Sequence, residues 1–231
     1  TSAKVVARVK QYFGARKVGH AGTLDPFATG VLICLVNRAT RLADFLLHGE
    51  KRYDATLCLG VETDTQDLTG KVIATADHED QDISPAQIEQ VCRTFLGEQQ
   101  QVPPAFSAVK HKGRPLYEYA RQGVMVLKPP RKVVISALRV EDIDYPLVRL
   151  SVTCSAGTYI RTLCADIGRQ LGCGAYLKTL RRTAAAGFEI SEAVTLEALT
   201  ELATGDSLND RLINMNQALR NMPAYRVDPS L

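Results

Sequence analysis

The amino-acid sequence predicts an α+β fold in which a mixed, largely antiparallel central sheet is flanked by helices. Some segments alternate apolar and polar residues with period two, and others carry apolar residues three and four positions apart. These strand and helix patterns do not alternate strictly along the chain, which disfavours a parallel sheet built from βαβ units. Proline pairs at 103–104 and 129–130 bracket a segment that we expect to project as an insertion.

The first predicted helix covers Ala3 to Phe13, where valines form an apolar stripe and Gly14 suits a left-handed stop. After a loop without either period, the continuous apolar segment Thr29 to Val36 predicts one buried strand. A second helix is predicted from Ala39 to His48, with its leucines and Phe45 directed inward.

Clear alternation from Tyr53 to Val61 predicts a half-buried strand. Ser84-Pro85 then starts a helix, since serine caps a helix, proline suits its first turn, and Gln87 stands three residues after the cap. The apolar patterns of Val133 to Val140 and Val148 to Cys154 predict two further strands.

A turn at Gly157-Thr158 leads into a predicted helix from about Tyr159 to Leu171. Arg161 lies off the apolar stripe of this helix, so core packing does not explain its presence. The last predicted helix runs from Thr195 to Ala203.

The composition is that of an ordinary globular protein, with 45% hydrophobic and 23% charged residues among 231. The longest apolar run spans about eight residues, whereas a membrane helix needs roughly 20, so no membrane span is predicted. The six cysteines include no CxxC pair and lack zinc-ligand spacing, so we expect no metal site. We expect them to be small buried hydrophobes of a reduced, cytoplasmic protein.

Charge is distributed unevenly along the chain, although the net charge is only +3. The segment from Lys110 to Lys132 holds seven basic residues and one acid, so it carries +6 and the remainder of the chain carries −3. A locally basic segment is typical of a surface that binds a polyanion, and a solvated loop is the alternative.

Asp25 is the first candidate for chemistry. It lies in the segment Gly19 to Gly30, where three glycines among twelve residues indicate tight backbone geometry or close approach of a ligand. The alternative is an aspartate that caps a turn before Pro26. The segment matches neither of the common phosphate-binding glycine patterns, and the chain has no GxSxG element of a serine hydrolase.

Arg161 and Tyr53 are the next candidates. A guanidinium outside the apolar stripe can pair with a carboxylate and keep it ionised, and an ordinary surface arginine is the alternative. Tyr53 begins a strand, where it could stack on a nucleic-acid base or serve as a core aromatic.

These candidates lie in motifs that resemble those of the bacterial tRNA pseudouridine-55 synthases, the TruB family. Gly19-His20-Ala21-Gly22-Thr23-Leu24-Asp25-Pro26-Phe27-Ala28-Thr29-Gly30 resembles the family's active-site motif. Lys51-Arg52-Tyr53 resembles its tyrosine motif, Gly157-Thr158-Tyr159-Ile160-Arg161 its arginine motif, and Leu180-Arg181-Arg182 its leucine-arginine motif. Tyr117 to Gly123 resembles the RNA-binding insertion, and all the motifs follow in the family's order.

The resemblance implies a role for each matched residue. Asp25 would attack the flipped uridine or its sugar, Arg161 would hold Asp25 ionised, and Tyr53 would stack on the base and help to remove the proton from C5. The implied substrate-binding residues are His20, Tyr53, Tyr159 and Leu180. The candidate RNA-binding residues are Lys110, Lys112, Arg114, Arg121, Arg131 and Lys132.

The implied function is isomerisation of uridine to pseudouridine at position 55, in the T loop of tRNA, after the base is flipped out of its stack. The reaction exchanges a C–N for a C–C bond without oxidation or import of a group, so we expect no cofactor. The expected partner is the T-arm stem-loop, which the enzyme would bind as a cytoplasmic monomer with no obligatory protein partner.

The chain departs from the family pattern at both ends. Of the usual Lys-Pro-x-Gly-x-Thr-Ser pattern only Thr1-Ser2 is present. We expect a catalytic domain over residues 1–205, an RNA-binding insertion over about 101–132, and an extension over 206–231 that is too short for a complete PUA domain. Two alternatives stay open: an RNA-binding protein without activity, and a guide-RNA-dependent synthase.

Overall fold

The computed structural model describes residues 1–76, 83–203 and 206–223, and its internal contacts divide the chain into two compact units. Unit 1 comprises Thr1–Pro26, Val31–Gly49 and Ala184–Leu231, and unit 2 comprises Phe27–Gly30 and Glu50–Thr183. Within the described residues, no helix is long and apolar enough to cross a membrane. The domain boundary expected at Gly205 falls outside the described residues.

The helices and strands are numbered in chain order. The strands are β1 Val18–His20, β2 Thr29–Gly30, β3 Cys34–Val36, β4 Lys51–Leu59, β5 Val61–Thr63, β6 Val72–Thr75, β7 Gly97–Gln101, β8 Lys110–His111, β9 Arg114–Pro115, β10 Arg131–Asp144, β11 Leu147–Cys154, β12 Ala175–Ala185 and β13 Phe188–Glu189. The α-helices are α1 Ser2–Tyr12, α2 Ala43–Leu47, α3 Pro85–Thr94, α4 Leu116–Arg121, α5 Ile160–Gln170, α6 Leu196–Leu202 and α7 Met215–Ala218. In the described residues, 3₁₀-helices cover Asn37–Leu42, Ile190–Glu192 and Asp206–Arg211.

The sheet of unit 2 has the strand order β12–β4–β11–β10–β7. β4, β11, β10 and β7 pair antiparallel, whereas β2 joins β12 in parallel through Arg181↔Thr29 and Arg182↔Gly30. The sheet is therefore mixed and largely antiparallel, as the sequence predicts.

The core of unit 2 lies between this sheet and helices α3 and α5. Every second residue of β4 from Tyr53 to Leu59 is buried, as the alternation predicts. Ile88 and Cys92 of α3 and Leu163 and Ile167 of α5 complete the same cluster. A fully buried leucine or isoleucine contributes about 1.5–3 kcal/mol relative to an exposed one, so this cluster holds the sheet and helices together.

Unit 1 has a smaller core. Helix α1 packs on the antiparallel pair β1–β3, and the 3₁₀-helix Asn37–Leu42 follows β3 directly. Ala21, Leu35, Leu46 and Phe188 form its buried cluster.

Two predicted elements between Thr29 and His48 are wrong in part. The strand expected over Thr29 to Val36 is two short strands, because Gly30 takes a φ of +102° and interrupts the extended backbone. The helix expected over Ala39 to His48 starts as a 3₁₀-helix and continues as α2. A 3₁₀-helix has three residues per turn, so the expected stripe does not persist, and Phe45 is 54% exposed.

The other predicted elements are confirmed to within a few residues, and β10 extends the predicted strand Val133–Val140 to Arg131–Asp144. The insertion expected over about 101–132 holds the hairpin β8–β9 and helix α4. Lys112 and Gly113 connect the hairpin with positive φ angles, as tight two-residue turns require. Arg131 and Lys132, at the end of the expected insertion, belong to strand β10.

Gly30 permits the pairing of β2 with β12, so its replacement by alanine should strongly lower the free energy of unfolding. A Cβ atom there would lie against the Arg182 carbonyl oxygen, 2.7 Å from the Arg182 nitrogen and 2.8 Å from its carbonyl carbon. We expect a loss of about 3 kcal/mol or more in denaturant unfolding. Gly97→Ala is the matched control, because Gly97 also has a positive φ, +85°, but nothing within 4 Å of its added Cβ. Equal losses would contradict the steric argument.

Candidate functional site

The loop that carries Asp25 is fastened to the start of helix α1. The Ser2 hydroxyl accepts a hydrogen bond from the Leu24 N–H at 3.0 Å and lies 3.3 Å from the Leu24 carbonyl oxygen, to which it can donate. Ser2 is buried, and Asp25, the next residue after Leu24, is half-buried. The Asp25 carboxylate is thus carried by a backbone segment whose position helix α1 fixes.

His20 lies at the end of β1, where it pairs with Cys34 of β3. The next residue, Ala21, is buried and donates its N–H to the Ile33 carbonyl at 3.0 Å. The short sheet therefore holds the two ends of the segment from His20 to Ile33, within which Asp25 lies.

Arg161 is buried, which excludes the surface-arginine alternative. Its exposure is 3% because α5 is buried on nearly all sides, so lying off the apolar stripe does not bring the side chain to solvent. Its guanidinium donates to the Thr65 carbonyl at 3.0 Å and the Phe106 carbonyl at 2.9 Å. Its Nε lies 3.7 Å from Oδ2 of Asp67.

Asp67 is a functional candidate that the sequence reasoning missed. It is 4% exposed, and its Oδ1 accepts hydrogen bonds from the Thr65 hydroxyl, the Thr69 N–H and the Thr69 hydroxyl at 2.8, 2.9 and 2.6 Å. These donors hold the Asp67 side chain in place beside the buried guanidinium of Arg161. The Thr63-Asp64-Thr65-Gln66-Asp67 run was the available signal.

Tyr53 and Leu180 lie in the same buried cluster of unit 2. Lys51, two residues before Tyr53 on the inward side of β4, is also buried. Burial, followed by the nearby charge of Arg182, lowers the pKa of Lys51 to about 8. Lys51 and Arg182 are thus two buried cations of unit 2 that act on each other.

Tyr159 stands immediately before α5 and is half-buried. The guanidinium carbon of Arg131 lies 4.7 Å from the centre of its ring, and Arg131 also donates to the Gly157 carbonyl. Arg131 was predicted to bind RNA directly, and the structure gives it a second task, since it covers one face of the Tyr159 ring.

The remaining predicted RNA-binding residues fall into two groups. Arg114 pairs with Glu118 at 3.2 Å and Lys132 with Glu98 at 2.5 Å, and all four side chains are exposed. Lys110, Lys112 and Arg121 are exposed and form no ion pair within the described residues. Arg114 and Arg121 lie over the rings of Tyr119 and Tyr117, at 5.2 and 5.3 Å. Cations interleaved with aromatic rings are typical of nucleic-acid-binding surfaces.

Unit 1 holds a second basic surface that the sequence reasoning missed. The Asn37 side chain accepts from the backbone N–H groups of Arg16 and Lys17, at 3.0 and 3.3 Å, and so brings them beside Arg38. Arg38 and Arg41 project from the same side of a 3₁₀-helix, and all four cations are exposed. The signal was available, since Asp25 is the only acid among residues 1–43.

Within the described ranges, no three His, Cys, Asp or Glu side chains are grouped as metal ligands would be. The site residues of unit 2 are a fixed guanidinium, a buried tyrosine, a half-buried tyrosine and a leucine. Unit 1 supplies a carboxylate and a histidine. Tyrosine rings such as those of unit 2 can stack on a planar base, and a carboxylate such as that of unit 1 can act as a nucleophile or stabilise charge.

Comparison with known proteins matches most of the chain to one family. Residues 10–160 match the family model described as TruB family pseudouridylate synthase (N terminal domain), and residues 161–220 match the tRNA pseudouridylate synthase B C-terminal domain. The tRNA pseudouridine synthase B of Syntrophotalea carbinolica is 47% identical over 229 residues, which cover 99% of this chain and 74% of the relative. That of Bordetella avium is 46% identical over 199 residues, covering 86% and 82%.

A solved structure of a Cbf5-Nop10-Gar1 complex contains a chain with the same fold. The TM-score is 0.75 and the identity 30%, over 96% of this chain and 59% of that chain. This chain thus spans about three fifths of that neighbour's length.

Proposed function

Because the chain belongs to the TruB family of pseudouridylate synthases, and is thereby an isomerase that converts uridine to pseudouridine in tRNA, we propose that its target is the T-loop uridine at position 55 and that Asp25 is its catalytic carboxylate. Family membership confirms the resemblance that the motifs indicated. The target loop and the residue roles rest on the arguments that follow.

The reaction requires little beyond placement and charge. The N1–C1′ bond of the nucleoside breaks, the C5–C1′ bond forms, C5 loses its proton, and N1 gains a proton, so the product is an isomer of the substrate. In the proposed roles Asp25 carries the intermediate, Arg161 keeps Asp25 ionised, and Tyr53 stacks on the base and assists removal of the C5 proton. His20 fills the space that the flipped nucleotide leaves, while Tyr159 and Leu180 contact the base.

The observation that carries this proposal is the environment of Arg161. A guanidinium that is 3% exposed and fixed by two carbonyl oxygens and Asp67 is costly to bury. Such a cost is typical of a charge retained for function. Tyr53 and Leu180, which the motifs place in the base pocket, lie buried in the same unit.

A direct assay tests the proposal. The purified chain is incubated with an unmodified T-stem-loop RNA in EDTA, and pseudouridine is located by mass spectrometry after selective labelling. Conversion at position 55 alone is expected. Conversion elsewhere in whole tRNA but not in the stem-loop would contradict the proposed target. A folded protein that binds the RNA without converting it would support the alternative of an RNA-binding protein without activity. Activity only in the presence of a guide RNA would support the alternative of a guide-RNA-dependent synthase.

Binding should depend on salt through the unpaired cations of the insertion. We expect Lys110→Gln with Lys112→Gln to reduce the slope of log Kd against log salt by roughly 0.7–0.9 for each phosphate that the variant no longer neutralises. Lys71→Gln with Arg139→Gln removes the same charge from exposed sites outside the insertion and serves as the control. Fluorescence anisotropy with a labelled stem-loop measures the Kd of each double variant as a function of salt. Equal slopes in the two variants would show that the RNA does not bind at Lys110 and Lys112.

A further inference from the structure

Gln101 makes a two-point contact with the backbone of Tyr159. It is the last residue of β7 and is 4% exposed. Its side-chain oxygen accepts from the Tyr159 N–H at 2.7 Å, and its side-chain nitrogen donates to the Tyr159 carbonyl at 3.0 Å. The carboxamide therefore pairs with Tyr159 as a neighbouring strand would.

This contact holds the residue that precedes helix α5. Tyr159 precedes α5 with extended backbone angles, φ −97° and ψ 112°, and its side chain forms no capping hydrogen bond. Its carbonyl also accepts the first helical hydrogen bond, from the Leu163 N–H at 3.1 Å. Gln101 thus fixes the residue at which the extended chain becomes helix, two residues before Arg161.

Gln101 and Arg131 hold Tyr159 from two sides. They are directly opposite each other in the β7–β10 ladder. Gln101 binds the Tyr159 backbone, and Arg131 lies over the Tyr159 ring. The orientation of the ring is therefore set by one cross-strand pair.

We propose that Gln101 is a positioning residue for the uridine pocket: it orients Tyr159 and the start of α5 without touching the substrate. The inference rests on the proposed function, in which Tyr159 contacts the flipped base. A displacement of about 1 Å at a contact of this kind can cost about 100-fold in rate.

Gln101→Glu tests the inference through its pH profile. An ionised carboxylate can accept from the Tyr159 N–H but cannot donate to the Tyr159 carbonyl, whereas a protonated carboxyl group can do both. We expect a single-turnover rate about 100-fold below wild type near pH 8. As pH falls toward 5, a range in which a buried carboxyl can titrate, the rate of the variant should recover to within about tenfold of the wild-type rate at the same pH.

Two variants provide controls. Gln101→Met has similar length and no hydrogen bonds, so its deficit should persist at every pH. Gln100→Glu places the same charge on the neighbouring exposed residue of β7 and should match wild type. The Kd for the T-stem-loop should change less than about threefold in all three variants, since Gln101 contacts protein only.

Reversible recovery at low pH within one sample excludes simple misfolding. A Gln101→Glu rate equal to wild type near pH 8, or a deficit that does not change with pH, would overturn the positioning role. An inactive wild-type chain would instead overturn the proposed function, so the two failures are distinguishable.

Discussion

Replacement of Asp25 by asparagine is expected to lower the single-turnover rate of pseudouridine formation by about 10⁴-fold or more. Asparagine preserves the size of the side chain but removes the negative charge and the nucleophilic oxygen. The backbone of the loop should be unaffected, because Ser2 holds it through Leu24 and β1 and β3 hold its flanks. Release of tritium from C5-labelled uridine measures the rate, since C5 loses its hydrogen when it bonds to C1′.

Asp44→Asn is the matched control for this substitution. Asp44 is an exposed aspartate in the same unit, so its replacement changes the charge of unit 1 equally. The control should be as active as wild type, and both variants should retain the Kd for RNA within about threefold. An Asp25→Asn enzyme with a rate near that of wild type would remove Asp25 from the mechanism.

The sequence was a sufficient guide to strands β4, β10 and β11 and to the long helices of unit 2, but it did not predict strands β7 and β12 of the same sheet. Period-two alternation in β4 and β11 and the capping box at Ser84 and Gln87 are local signals, and each is visible within about ten residues. It failed at Gly30, where a positive φ breaks the strand, and at Phe45, because the 3₁₀-helix Asn37–Leu42 before it shifts the helical period. A positive φ and a 3₁₀-helix cannot be recognised from a run of apolar residues alone.

The supports of the site were invisible in the sequence for a different reason. Ser2 binds Leu24 across 22 residues, Gln101 binds Tyr159 across 58, and the Arg161 guanidinium donates to the Thr65 carbonyl across 96. The motifs name the groups proposed to meet the substrate, but only the fold shows which distant side chains hold the backbone beneath them. In unit 1 the Ser2 side chain contacts the backbone N–H and carbonyl of Leu24, the residue before Asp25. In unit 2 the Gln101 side chain does the same with Tyr159, two residues before Arg161.

Loss of the Arg161 charge should be nearly as damaging as loss of Asp25, and Asp67 allows its catalytic and structural effects to be separated. Arg161→Met should lower the rate by about 10³-fold. It should also lower the free energy of unfolding by about 3–5 kcal/mol, because Asp67 remains buried without its cation. Asp67→Asn should destabilise by a similar mechanism, since it leaves Arg161 charged and buried.

The double variant Arg161→Met, Asp67→Asn decides between the two roles. With both charges gone the desolvation penalty disappears, so stability should return to within about 1–2 kcal/mol of wild type in urea unfolding. Turnover should stay about 10³-fold low if the guanidinium serves the reaction itself. If turnover recovered with stability, Arg161 would act only by holding α5 and the Thr63–Asp67 segment together. A stable but inactive double variant requires the positive charge in the chemical step, because the fold no longer depends on it.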